Sequence, residues 1–84
     1  MTDCMIACRS VTYAQKYTKL LKRHHYSAYM VRLPAGLAGT GCGHAVRVPE
    51  RQVHEALSFL RENGAESLRI FCINEFGEYQ ERAL

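Results

Sequence analysis

Acid is almost missing from the first half of this chain. Residues 1–49 hold only Asp3 against seven basic residues: Arg9, Lys16, Lys19, Lys22, Arg23, Arg32 and Arg47. Residues 50–84 hold seven Glu against four Arg. An even basic coat would point to nucleic acid; a split of this kind does so only weakly. Tryptophan is absent, and Tyr and Phe are scattered among apolar positions. No stacking platform for bases stands out, so nucleic acid is not the expected partner. No apolar run approaches the roughly 20 residues of a membrane helix, and no membrane association is expected. The opening Met1-Thr2-Asp3-Cys4 lacks the basic-then-apolar pattern of a secretory leader. The expectation is a soluble cytoplasmic protein. There is no low-complexity segment and no repeat in residue identity. At 84 residues there is room for one domain, with a core over about 4–74 and a tail over 75–84.

What is plentiful is cysteine: Cys4, Cys8, Cys42 and Cys72. A disulfide scaffold would need an oxidising compartment, which nothing here suggests. Cys4, Cys8 and Cys72 sit in apolar runs, where free cysteine packs as a small hydrophobe. Cys42 differs. It lies in Gly39-Thr40-Gly41-Cys42-Gly43, within the stretch 34–43 that carries four of the six glycines and no charge.

The pattern along the chain alternates strands and helices. Residues 4–8 read as a buried strand. Ser10 stands where a helix N-cap should stand. Ala14, Tyr17, Leu20 and Leu21 then recur with helical period up to His25. Lys22 and Arg23 suit the negative end of that helix, and His24 and His25 its C-cap. Lys16, Lys19, Lys22 and Arg23 share a spacing that reads first as a solvated face and second as a dock for an acidic partner. Residues 27–33 are a strand stopped by Pro34. Residues 44–48 alternate, with His44, Val46 and Val48 on one face and Ala45 and Arg47 on the other. Pro49 opens a second helix with a Val53, Ala56, Leu57, Leu60 stripe, and Asn63-Gly64 stops it. His54 falls outside the stripe and should be exposed. Residues 67–74 are the last strand, and Gly77 begins the tail. The fold class is α+β, with the order β-α-β-β-α-β. Short, right-handed connections favour the ferredoxin-like sandwich, an antiparallel sheet of order 4-1-3-2 with both helices on one face. Phe71 and Ile73, with Tyr29, Val31 and Leu33, would make the other face apolar, which predicts a homodimer or a protein partner there.

That topology brings the end of the first strand, the start of the first helix and the glycine loop to one edge. Cys8, Arg9, Ser10 and Cys42 would meet there. A thiolate is favoured by a cation and a helix N-terminus, which Arg9 and Ser10 would supply to Cys42. Gly41 and Gly43 would let a reactant reach the sulfur and free backbone N–H groups for an anion. His44 could shuttle a proton or simply be satisfied at a strand end. Such a thiol could carry sulfur or selenium or do redox work; it could also be an incidental loop cysteine. Cys8 reads as core packing, or as a resolving cysteine for Cys42 if their Cα atoms lie within about 7 Å. A Cys8, Cys42 and His44 metal site matches no standard zinc spacing, so no metal and no cofactor is expected.

The chain resembles the selenium/sulfur carrier-like proteins. The resemblance rests on the first strand with Ser10 and the Ala14-to-Leu21 helix, on Leu33-Pro34, and on the loop ending in Cys42-Gly43. The Ala45-Val46-Arg47-Val48 strand and the second helix through Gly64 complete it, over about residues 4–74. His44 stands where aliphatic residues are usual. The resemblance implies a carrier rather than a catalyst, with Cys42 as the carrier thiol and with donor and acceptor proteins as partners. The alternative is a regulatory or interaction module with incidental cysteines. A metallochaperone would carry two cysteines in the first β-α loop, where only Cys8 lies near.

Overall fold

Two helices of equal length bury the same spacing. In the computed structural model, which describes residues 3–8, 10–33, 43–66 and 68–82, helix α1 spans Val11–Arg23 and buries Ala14, Tyr17, Thr18 and Leu21. Helix α2 spans Glu50–Glu62 and buries Val53, Ala56, Leu57 and Leu60. Each set falls at i, i+3, i+4 and i+7, one stripe of an α-helix. Thr18 is polar but satisfied, because its hydroxyl donates to the Ala14 carbonyl at 2.7 Å.

The strands are β1 (Asp3–Ala7), β2 (Tyr29–Arg32), β3 (His44–Pro49), β4 (Arg69–Ile73) and β5 (Tyr79–Arg82). They form one antiparallel sheet of order β2-β3-β1-β4-β5. Cys4, Ile6, Val46, Val48, Ile70 and Cys72 face both helices and form the main core with them. His54 is exposed, as its place off the stripe predicts.

Strands β4-β1-β3-β2 lie in the order read from the sequence, and the four-stranded sheet is corrected only at its edge. The sheet has a fifth strand, and it comes from the segment read as a tail. The Asn74 side-chain carbonyl accepts from the N–H groups of Phe76 and Glu78, each at 2.9 Å. Gly77 takes φ 78° to complete the turn. Chain reversal at Asn74–Gly77 then lays β5 along β4. The Arg69 guanidinium grips Glu81 with two hydrogen bonds of 2.7 and 2.8 Å. That pairing holds the Glu81 carboxyl below its usual range, chiefly through the hydrogen bond. Arg82 pairs with Glu50 at the start of α2. Every residue of β5 is exposed, so no apolar alternation marked it. Cys72 is consequently not in an edge strand.

The face away from the helices is also closed. Met5, Ala7, Leu33, Ala45 and Phe71 make a second buried cluster. Arg47 stands opposite Met5 and binds Asp3 at 2.9 Å. The Arg69 guanidinium lies 5.2 Å over the Phe71 ring. The Arg47 guanidinium lies 5.9 Å from the centre of the Tyr29 ring. The open apolar face expected from the sequence is therefore mostly covered by the chain itself. Tyr29 and Tyr79 remain exposed on it.

Both helices end in the same way. In α2, Gly64 at φ 90° lets Gly64 N–H reach the Arg61 carbonyl and Ala65 N–H the Leu60 carbonyl. In α1, His25 N–H reaches Lys22 and Tyr26 N–H reaches Leu21, the same pair of bonds. But the left-handed residue here is His25, at φ 68°. A side chain there costs about 1–2 kcal/mol, of which glycine would return part to unfolded-state entropy. His25→Gly is expected to raise stability by about 0.5–1 kcal/mol in urea unfolding. An unchanged or lower midpoint would count against this cap reading.

Candidate functional site

The sheet edge predicted to carry the chemistry is partly in view. Arg9, Gly41 and Cys42 lie outside the described residues. Cys8, Ser10, Gly43 and His44 are described, and they come together. The last register pair of β1 and β3 is Ala7 with Ala45. One step beyond it, Cys8 N–H donates to the His44 carbonyl at 3.3 Å. Two residues after Cys8, Ser10 caps α1, its hydroxyl accepting from Tyr13 N–H at 3.3 Å. The sequence predicted this cap. It leaves the N-terminal end of α1, with its partial positive charge, at the same edge.

Gly43 carries the other anchor. Its carbonyl accepts from Leu33 N–H at 2.6 Å, which ties the ends of the 34–42 segment together. A Cβ added to Gly43 would meet nothing within 4 Å. Nor is Gly43 among the residues of positive φ. Neither steric room nor backbone conformation among the described residues calls for glycine here. His44 is half-buried, on the helix side of β3.

Cys8 is buried, and its thiol donates to the Ile6 carbonyl at 3.4 Å. That fits the packing reading. Its backbone partner is His44. No group of His, Cys, Asp and Glu among the described residues could hold a metal ion. No helix among them is long and apolar enough to cross a membrane.

The other two cysteines depart from expectation. Cys4 and Cys72 are core residues, as predicted, but not as separate thiols. They are directly opposite in the β1–β4 register and are joined by a disulfide, with Cα atoms 4.1 Å apart. Alternation alone put both on the helix face; only the register put them side by side. Sequence reasoning also gave little weight to a groove of about 670 Å³ lined by Lys16, Lys19, Leu20, Lys22 and Arg23 on α1. Its signal was present in the spacing of those cations.

No curated protein and no solved structure matches this chain. A family model does, over residues 3–72, which takes in β1 through most of β4 and the whole sheet edge just described. The chain belongs to the family described as "Putative Se/S carrier protein-like".

Proposed function

We propose that this protein is a cytoplasmic carrier that takes sulfur or selenium onto Cys42 and delivers it to an acceptor. Family membership over residues 3–72 is the observation that carries the reading. The edge geometry supports it. Gly43 and His44, which follow Cys42 in the chain, stand beside Cys8 and the capped start of α1. A helix N-terminus favours a thiolate over a thiol. Glycine at position 43, which nothing among the described residues demands, puts no side chain next to Cys42 in the chain. In the sequence Arg9 adds a positive charge next to Ser10, and Gly41 precedes Cys42.

The loading step is thiol exchange. The Cys42 thiolate attacks the terminal sulfur of a donor persulfide. A new S–S bond forms on Cys42, the donor's S–S bond breaks, and the donor cysteine leaves as a thiolate. Unloading is the same step in reverse sense: the acceptor takes the terminal atom and Cys42 leaves as thiolate. No oxidant is consumed. Selenium would ride in the same terminal position. In this reading Cys8 serves as packing, and His44 hands on a proton.

Mass spectrometry after incubation with a persulfide donor tests the assignment. Wild type and Cys8→Ser should gain the mass of one sulfur atom, and Cys42→Ser should not. Equal labelling of wild type and Cys42→Ser would sink it and return the chain to the interaction-module reading.

A further inference from the structure

The groove on α1 lies apart from the edge where Cys8, Ser10 and His44 meet and is not used by the carrier chemistry. Its described lining is four cations around one half-buried leucine, Leu20. Helix α1 has no acidic residue at all, in its first turn or later. Among the described residues none of the four cations has an ion-pair partner. Lys16 and Lys19, Lys19 and Lys22, and Lys19 and Arg23 stand three or four residues apart. Like charges at those spacings oppose helix formation by roughly 0.2–0.5 kcal/mol per pair. The chain could relieve this with one glutamate; its seven later glutamates are all placed elsewhere.

We infer that this groove docks an acidic peptide segment of a partner protein, one with an apolar side chain set among its carboxylates. Charge complementarity selects the acid. Leu20 and the aliphatic lysine stems select the apolar side chain. Nucleic acid fits less well. Lys16 to Arg23 spans only about 10 Å of helix, and no aromatic residue lines the described groove. The groove lies in the C-terminal half of α1, whereas Ser10 and Cys8 stand beyond its N-terminus. A partner bound there leaves the N-terminal end of α1 uncovered.

The probe is a fluorescent peptide of about ten residues with glutamates flanking one leucine, titrated by anisotropy up to ~1 mM protein. Three controls accompany it: the glutamine version, the peptide with leucine changed to serine, and a single-stranded oligonucleotide of equal charge. Binding should weaken with salt and fall about tenfold in Lys16→Glu/Lys19→Glu. Both positions are exposed, and the far-UV circular dichroism of the variant should match wild type. Leu20→Ser should weaken the glutamate peptide while leaving the salt dependence in place. Failure of wild type to bind the acidic peptide, equal binding by the double variant, or tighter binding of the oligonucleotide would each overturn the inference. So would binding lost only because two copies of the chain associate through this face, read by sedimentation.

Discussion

Reducing the Cys4–Cys72 bond is expected to lower stability by about 4 kcal/mol. The two cysteines are 68 residues apart in sequence. In the chain-entropy model, a crosslink closing a loop of that length removes roughly 4 kcal/mol of unfolded-state freedom. A domain of this size has a net stability of about 4–13 kcal/mol. The reduced protein should therefore unfold at a much lower urea concentration, or be partly unfolded in buffer. Both sulfurs are buried under the two helices. A reductant reaches them only when β1 and β4 open, so reduction should be slow in buffer and fast in mild urea. Urea unfolding with and without reductant measures the difference. In Cys4→Ala/Cys72→Ala, reductant should have no effect on the midpoint. Equal midpoints for oxidised and fully reduced wild type, with thiol titration confirming reduction, would refute the expectation. In the cytoplasmic setting proposed for the carrier, thiols challenge this bond continually. Burial in the central strands is what would slow its loss.

Phe71→Ala should cost about 3–4 kcal/mol. The ring is buried in the second cluster, between Met5 of β1 and the Arg69 guanidinium. Truncation removes its apolar contacts and leaves a cavity that Met5 and Ala45 cannot fill. If this face were open, as the sequence alone suggested, the ring would be half in water and the cost would fall below about 1 kcal/mol. Urea unfolding separates the two values. Sedimentation of the same variant adds a second reading. A homodimer built on this face would be weakened by the substitution, whereas a face closed by its own chain leaves the oligomeric state unchanged. A loss under 1 kcal/mol would restore the open-face view.

Several elements were legible because their signals are local. Ser10 before a Lys- and Gln-studded apolar stripe marks a helix start, and the hydroxyl does accept from Tyr13. Asn63-Gly64 marks a stop, and Gly64 takes the left-handed conformation. The alternation of His44, Val46 and Val48 set the faces of β3. The misses share a different cause. Strand β5 has no apolar face, so its pairing depends on the Asn74 turn and on Arg69, neither visible to periodicity. The burial of Met5, Ala45 and Phe71 on the second sheet face depends on tertiary packing, which alternation alone does not reveal.

The four cysteines divide along the same line. Sequence by itself determined that three belong to apolar runs and that the fourth belongs to a glycine-rich stretch. It also carried the resemblance to the family whose model matches residues 3–72. Those properties depend on neighbours in the chain. Only the tertiary structure decided that Cys4 and Cys72 are opposite one another and joined, because register between β1 and β4 is set by packing across 68 residues of separation. It likewise decided that Cys8 and His44 meet at the edge where α1 begins. Alternation tells which face a residue takes, and only the register of a folded sheet tells which residue it will touch.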